Sequence, residues 1–250
     1  RGLGDVYKRQ SILSRGIMPI KKYLLLFFLF FCCTVIRAQY SMGNTGLLNI
    51  PTADMQETGT FMGGANYLPD GMTPFKFNTG NYFVNITFLS ILELSYRCTL
   101  LKTTRYDGKR GYFQQDRSMT ARVRPLKEGK YHPSIVIGTN DPFKDMGTNY
   151  FATVYGVLTK SFSIVKGDRL ALTAGYYFPL NKHSVQDGPF GGISYSPARC
   201  REISFMAEYD SDGFNVGSTV RLWKHLSVHV FTREFNCIAG GIRYECTLIH

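Results

Sequence analysis

The sequence predicts an all-β protein, an antiparallel transmembrane β-barrel of about twelve strands that follows a cleaved signal peptide. Three observations lead to this fold class. Apolar and polar side chains alternate in segment after segment between residues 60 and 250. Aromatic residues make up 14% of the chain and charged residues only 19%, a balance that is unusual for a soluble domain. No stretch after residue 40 keeps a helical period, so the apolar residues are spread over strand faces.

The clearest strand lies at residues 91–101, where nine consecutive positions alternate strictly. Its apolar face carries Leu92, Leu94, Tyr96, Cys98 and Leu100, and its polar face carries Glu93, Ser95, Arg97 and Thr99. Successive side chains of a strand point to opposite faces, so this pattern fits a strand and not a helix. Similar patterns predict twelve strands, at residues 60–68, 82–89, 91–101, 116–124, 133–140, 149–159, 169–179, 190–197, 202–210, 214–223, 226–233 and 235–244.

Two architectures can hold so many strands, a soluble sandwich and a closed membrane barrel. The apolar faces carry tyrosines near strand ends, at Tyr67, Tyr82, Tyr96 and Tyr209, which suits the aromatic girdles of outer-membrane barrels. The polar faces carry charges of both signs, which a lumen would pair. Closure also removes the unpaired strand edges that lipid does not tolerate. These features favour a barrel in the bacterial outer membrane.

Residues 1–38 have the pattern of a segment that is removed on export. Met18 is the predicted start, and an apolar run of 14 residues at 23–36 follows Lys21 and Lys22. This run is too short to cross a membrane as a helix and has the flanks of a secretory signal peptide. We therefore predict three parts: the signal peptide with upstream residues at 1–38, an N-terminal segment at 39–59 that can plug the lumen, and the barrel at 60–250.

The net charge changes once the signal segment is set aside. The whole chain has a formal net charge of +11, but residues 39–250 hold 22 basic and 17 acidic residues, a net charge of +5. Such a mild charge on an exported chain does not indicate nucleic-acid binding. Four cysteines remain, Cys98, Cys200, Cys237 and Cys246, without a zinc-binding spacing. Cys98 is expected to face lipid as an unpaired thiol, and disulfide pairing among the other three stays open.

A segment ahead of the first strand has the sequence Gly-Asn-Thr-Gly-Leu-Leu-Asn-Ile-Pro-Thr-Ala-Asp over residues 43–54, with Gly43, Gly46, Pro51 and Thr52 as its marker positions. It resembles the N-terminal motif of the YjbH-like family of outer-membrane proteins. Residues 116–131, 190–197 and 208–215, the last including Asp212 and Gly213, resemble that family as well. The resemblance covers residues 43 to about 235 and implies a barrel tied to export or assembly of exopolysaccharide or capsule. The chain is much shorter than the long members, which carry additional domains.

Charged residues on the polar strand faces are the candidate functional residues of the lumen. They are Glu93, Arg97, Arg122, Arg124, Glu208, Asp210, Arg221 and Arg243, with Arg117 assigned to the same face. An excess of arginine at one level would favour anions in an open pore. Alternatively, Arg–carboxylate pairs fill the lumen and stabilise the barrel. A barrel of about twelve strands is intermediate in width, so both alternatives stay open.

Two further constellations have a chemical and a structural interpretation. Residues 208–215 crowd acidic oxygens as a calcium loop does, but no bidentate acid follows. A hairpin turn with Asp212 and Gly213 at its tip is therefore favoured. Ser227 and His229 share one strand face, as a hydrolase would need, but that face is the predicted lumen side, away from lipid. We predict neither a metal site nor a catalytic site.

The sequence thus predicts a non-enzymatic outer-membrane barrel without a cofactor, which assists export or surface assembly of exopolysaccharide or capsule. Its expected partners are outer-membrane lipid, polysaccharide and polysaccharide-export proteins, and no nucleic acid. The alternative is a small passive channel with an arginine-lined, anion-favouring lumen. A barrel hydrolase built on Ser227 is a third hypothesis.

Overall fold

Twelve strands form the body of the molecule in a computed structural model, which describes residues 41–73, 75–143, 149–164 and 167–248. The predicted signal peptide at 1–38 lies outside the described residues. A 3-10 turn, Asp70–Met72, follows the first strand. The strands are β1 (Thr60–Leu68), β2 (Thr79–Phe88), β3 (Leu92–Thr104), β4 (Arg110–Leu126), β5 (Ser134–Asn140), β6 (Thr153–Ser163), β7 (Arg169–Pro179), β8 (Gly188–Ser196), β9 (Ile203–Tyr209), β10 (Phe214–Trp223), β11 (Leu226–Arg233) and β12 (Cys237–Thr247).

The strands close into one antiparallel barrel. Each strand pairs with its neighbours in sequence, and β1 also pairs with β12, from Thr60 opposite Thr247 to Tyr67 opposite Gly240. Each described strand is therefore paired on both sides over at least part of its length. The predicted fold class, an antiparallel barrel of about twelve strands, is confirmed. Among the described residues, no helix is long and apolar enough to cross a membrane.

The outer surface of the barrel is apolar, and most of the inner surface is polar. Val84, Tyr96 and Met119 form one row across β2, β3 and β4 that faces outward, and Val84 and Met119 are 45% and 51% exposed. Arg97 and Ser118 belong to the adjacent inward row and are each 2% exposed. An apolar belt around a closed barrel is suited to hydrocarbon and not to water. The molecule is therefore a β-barrel of the outer-membrane type.

The two ends of the barrel differ in their connections. Tight connections at residues 89–91 and 224–225 lie at one end, which we call the turn end. The opposite loop end carries the longest connection, at residues 141–152 between β5 and β6. Short connections of bacterial barrels face the periplasm and long ones face outside, so the loop end is the outer end.

Most predicted strand bounds match the structure within three residues, and the larger differences lie in β4 and β6. β4 begins at Arg110 instead of residue 116, because it pairs with β3 past the ends of the neighbouring strands. The connection between β3 and β4 is therefore shorter than predicted. β6 begins at Thr153 instead of residue 149, because Ala152 N–H donates to the Asn149 carbonyl in a turn. β12 continues to Thr247 in its pairing with β1.

Candidate functional site

Residues 41–56, which we call the inner segment, lie inside the barrel. Their contacts reach opposite walls. Thr45 N–H donates to Glu93 Oε1 of β3 at 2.8 Å, and Leu48 N–H donates to Glu208 Oε2 of β9 at 2.9 Å. Nearly all side chains of the inner segment are buried. The segment therefore lies in the centre of the lumen, between opposite walls of the barrel.

A tight hairpin forms the middle of the inner segment. Leu47 N–H donates to the Ile50 carbonyl at 2.9 Å, and Gly46 and Pro51 face each other in an antiparallel bridge. Gly46 and Pro51 are two marker positions of the family-like sequence, and they stand at the base of this hairpin. The family-like sequence thus forms a turn inside the lumen.

The ion pair between Arg122 of β4 and Glu93 of β3 anchors one side of this hairpin. Arg122 Nη2 lies 2.9 Å from Glu93 Oε2, and both side chains are fully buried. The same guanidinium donates to the carbonyl oxygens of Thr45 and Thr52, each at 2.8 Å, and to that of Asp54. A guanidinium offers five N–H donors in a fixed fork. One side chain therefore holds three backbone carbonyls and one carboxylate at once.

Glu208 of β9 anchors the other side of the hairpin. Its carboxylate accepts from Leu48 N–H at 2.9 Å and from Asn49 N–H at 2.6 Å, and Asn215 Nδ2 donates to it at 3.0 Å. The side chain of Asn49 extends the contact, because its Nδ2 donates to Asp210 Oδ2 at 2.6 Å. Both carboxyl groups of β9 and its following turn thus accept bonds from the hairpin. They satisfy N–H groups at the tip of the hairpin that would be costly to bury unpaired.

Apolar side chains of the inner segment pack against inward-facing residues of the barrel. Leu48 and Ile50 have no exposed surface. Their barrel partners in one buried cluster are Val136, Tyr155, Val157, Tyr177, Phe190, Met206, Phe231 and Ala239. The lumen therefore has an apolar zone as well as a charged one, which sequence reasoning missed. Burial of these side chains stabilises the seated hairpin as a protein core does.

The seated inner segment leaves a cavity toward each end of the lumen. A cavity of about 160 Å³ at the loop end is bounded by Asn49, Asp210 and Arg97, among others. A cavity of about 30 Å³ toward the turn end is bounded by Thr52 and Arg169, among others. The larger cavity lies at the outer end of the barrel, and we call it the outer vestibule.

The predicted lumen charges form groups and not one network. Beyond the two anchors, Arg221 Nη2 lies 2.5 Å from Glu245 Oε1, and Arg243 Nη2 lies 3.2 Å from Glu245 Oε2. Sequence reasoning missed Glu245. The available signal was its position two residues after Arg243, on the same face of β12. The groups among described residues are Glu93 with Arg122, Glu208 with Asp210 and Asn49, and Arg221 with Arg243 and Glu245.

Arg97 and Arg124 lie apart from the anchors. Arg97 faces the lumen, with its guanidinium carbon 4.3 Å from the centre of the Phe151 ring, and helps to line the outer vestibule. Arg124 lies at the turn end, where Nη2 donates to the Ser90 carbonyl at 2.6 Å. A bulge after Val123 interrupts the alternation of β4 just before this residue. Arg124 therefore belongs to the rim of the barrel and not to the buried charges.

The assignment of Arg117 to the lumen is wrong. Arg117 is exposed and pairs with Cys98, which stands in the outward row of β3. Its position differs by an odd number from that of inward-facing Arg122, so the two side chains leave opposite faces of β4. Cys98 faces outward as predicted, yet only 4% of it is exposed. The four cysteines within the described residues, Cys98, Cys200, Cys237 and Cys246, are free thiols.

The acidic segment 208–215 forms a hairpin, in which residues 210–213 connect β9 to β10. Asp210 Oδ1 accepts from Asp212 N–H at 3.2 Å and from Gly213 N–H at 2.9 Å. Asp212 Oδ2 in turn lies 2.5 Å from Arg233 Nη2. The carboxylate oxygens thus accept hydrogen bonds from protein N–H groups, in agreement with the hairpin interpretation.

Ser227 and His229 lie on the inner wall of β11. They are 2% and 3% exposed, and both face the lumen. His229 stands opposite Gly241 of β12, and Ser227 stands opposite Arg243. Membrane lipid has no access to this wall, so the arrangement does not support lipid hydrolysis.

Gly43 of the family-like segment has a backbone conformation that other residues rarely adopt. Its φ is +92°, and an added Cβ would lie 2.8 Å from Phe83 Cβ. We expect Gly43→Ala to lower the free energy of unfolding by about 1–3 kcal/mol, measured by urea titration in lipid vesicles. Gly108→Ala is the matched control, since Gly108 has a φ of +77° and open space around it. Equal losses in both variants would show that contact with Phe83 is unimportant.

Asp141 lies just beyond β5 at the loop end. Burial, and then the neighbouring carboxylate of Asp116, raises its pKa from 3.8 to about 6, and Arg97 opposes this rise. Between about pH 6 and 4 the folded protein therefore binds a proton that the unfolded chain does not hold, and stability increases as pH falls through this window. We expect Asp141→Asn to raise the urea midpoint at pH 7.5 and to reduce the gain on acidification to pH 5. The exposed Asp187→Asn is the control, and an identical pH profile in both variants would contradict the prediction.

A twelve-stranded barrel with an apolar outer wall and a hairpin anchored in its lumen defines the chain as an outer-membrane β-barrel protein. Residues 38–178 match the model of a family described as "Exopolysaccharide biosynthesis protein YbjH". This match spans more than half of the chain, and the chain belongs to the YjbH family. The resemblance to this family is confirmed over these residues, which include the whole inner segment, while residues 190–197 and 208–215 lie outside the match. A comparison with curated proteins gives no match.

Several solved structures are similar to this chain at low sequence identity. The KdgM porin is 14% identical with a TM-score of 0.45, over 74% of this chain and 98% of that chain. The COG4313 outer membrane channel from Pseudomonas putida F1 is 10% identical with a TM-score of 0.41, over 79% and 98%. The outer membrane phospholipase (OMPLA) of Salmonella typhi is 10% identical with a TM-score of 0.33, over 76% and 89%. Similarities at this level assign no activity or substrate.

Proposed function

We propose that the protein is a non-enzymatic outer-membrane barrel that assists the passage or surface assembly of an exopolysaccharide, and that its inner segment closes the lumen at rest. The observation that carries this proposal is the seating of the family-motif hairpin between Arg122 and Glu208, on opposite walls of the barrel. Membership of a family described by exopolysaccharide biosynthesis supplies the class of substrate.

The anchors suit a closure that can be released. Most polar bonds of the hairpin run from its backbone to lumen side chains, such as those from Leu48 and Asn49 to Glu208. These bonds are non-covalent, and an incoming polymer or partner with hydroxyl and carboxylate groups can compete for the same side chains. The vestibule of about 160 Å³ lies directly beside Asn49 and Asp210, where such a competitor from outside would first arrive.

A steadily open, anion-favouring channel is the alternative function. It is less well supported, because the described lumen arginines contact carboxylates, backbone carbonyls or rings, as Arg122 and Arg221 do. Planar-bilayer recording of the refolded protein separates the two functions. Closure predicts no steady conductance in the wild-type protein. Steady, anion-selective conductance would favour the channel.

The test of the proposed function compares surface polysaccharide in a host strain with and without the gene. We expect deletion to reduce cell-surface exopolysaccharide, measured by sugar analysis of washed cells under conditions that induce its synthesis. The wild-type gene should restore the polymer, and so should Ser227→Ala if no hydrolysis is involved. Unchanged polymer in the deletion strain would reject the proposal. Failure of Ser227→Ala alone would favour the hydrolase hypothesis.

A further inference from the structure

An apolar groove lies on the outer wall of the barrel across β1 to β4. Its volume is about 450 Å³, and its lining residues include Phe61, Val84, Ile86, Leu94, Met119 and Phe143. Phe143 belongs to the connection after β5 and closes one side of the groove. Ala121 lines the groove between larger outward side chains of β4, which explains the depression at this place. The groove opens to the hydrocarbon of the membrane.

Arg117 stands directly above this groove on the same wall. It is two residues from Met119 along β4, about 7 Å toward the loop end. Its side chain is exposed and faces outward beside Cys98. Among the described residues, no carboxylate lies within ion-pair distance of Arg117, and no side chain accepts a hydrogen bond from it. A cation on a lipid-facing wall is unfavourable unless it reaches the membrane interface or an anionic partner.

The turn-end half of the outer wall differs in this respect. Lys160 of β6 also faces outward, opposite Leu172, but its Nζ lies 3.3 Å from Glu128 Oε1 and donates to nearby carbonyls. The lysine near the inner leaflet therefore has an anion within the protein. The arginine near the outer leaflet has none among the described residues.

We propose that this surface binds a phosphorylated glycolipid of the outer leaflet, with one acyl chain in the groove and a phosphate on Arg117. The planar guanidinium can bind two phosphate oxygens through parallel N–H bonds, which an ammonium group cannot do. Tyr82 and Tyr96 flank Arg117 in the outward rows, at the level where aromatic girdles meet headgroups. The position of Arg117 on the loop-end side of the groove selects a lipid of the outer leaflet. This inference is independent of the proposed function, because it concerns the outer wall and not the lumen.

The experiment is native mass spectrometry of the full-chain protein in mild detergent, titrated with bisphosphorylated lipid A. We expect one tightly retained lipid per barrel, with at least a tenfold weaker apparent affinity in Arg117→Gln. Lys160→Gln is the charge-matched control and should bind as the wild type does. Ala121→Phe fills the groove from the lipid side, where it does not disturb the lumen, and should weaken binding as well.

Two lipid probes separate the sources of the phosphate. The wild type should bind dephosphorylated lipid A with an apparent affinity no higher than that of Arg117→Gln for lipid A. Phosphatidylglycerol, an anionic phospholipid, should bind at least tenfold more weakly than lipid A. Equal binding of lipid A to the wild type and Arg117→Gln would overturn the proposal, and so would equal affinity for phosphatidylglycerol. Neither result bears on exopolysaccharide, so this test fails or succeeds separately from that of the proposed function.

Discussion

Replacing Arg122 by alanine is expected to lower the free energy of unfolding of the barrel by about 3–5 kcal/mol. The variant leaves the carboxylate of Glu93 in a fully buried place without its counter-ion. It also removes the donor that serves the carbonyl oxygens of Thr45, Thr52 and Asp54. Since unpaired buried polar groups are costly, both losses act in the same direction.

The measurement is urea-induced unfolding of the refolded protein in lipid vesicles, followed by intrinsic fluorescence. Arg110→Ala is the matched control, because Arg110 lies on the same strand and is exposed. Its expected change is within about 0.5 kcal/mol. The double variant Arg122→Ala and Glu93→Ala should recover part of the loss, because the buried charge is then gone. Similar losses in Arg122→Ala and Arg110→Ala would show that the ion pair does not hold the inner segment.

The alternation of β3 illustrates what the sequence could predict. Leu94, Tyr96 and Cys98 all lie in the outward row, and Glu93 and Arg97 lie inward, as the pattern predicts. A period of two residues is a direct consequence of strand geometry, so it survives in the fold wherever one face meets lipid. Closure then follows from the need to pair every strand edge within the membrane.

The first residues of β4 illustrate what the pattern could not predict. Residues 110–115 of β4 are beyond the pairing with β5 and continue only beside β3. Both faces of this ribbon lie at the loop end, where no apolar environment selects an alternating pattern. Arg117 was placed on the wrong side for a related reason. It was grouped with Arg122 by chemical type and not by its odd spacing along the strand.

The anchors of the inner segment were beyond the reach of sequence reasoning. Thr45 and Glu93 are 48 positions apart, and Leu48 and Glu208 are 160 positions apart. Such contacts depend on closure of the whole barrel. A weaker signal was present in the inward positions of β6 to β8, where Tyr155, Tyr177 and Phe190 are apolar or aromatic. Strands with two apolar faces indicate packing on both sides, and the second side here is the hairpin.

The second large effect is expected from Ile50→Asp, which should open the lumen. Ile50 is fully buried among apolar and aromatic side chains, and Leu48 lies in the same cluster. Burying an unpaired carboxylate there would cost several kcal/mol. Water can solvate that carboxylate only if the hairpin leaves the lumen. We therefore expect the hairpin to detach from the barrel wall while the strand pairing remains. A barrel whose lumen is closed by the hairpin would then conduct ions.

Planar-bilayer recording measures this outcome, and far-ultraviolet circular dichroism verifies that the β-barrel is retained. We expect steady conductance from Ile50→Asp and none from the wild type. Thr58→Asp adds the same charge at an exposed position just after the inner segment and should remain closed. A folded Ile50→Asp barrel without conductance would mean that other parts of the chain close the lumen. Ile50 makes no polar bond to Arg122 or Glu208. The effect of Ile50→Asp would therefore measure how apolar packing holds the hairpin, separately from the polar contacts that Arg122→Ala removes.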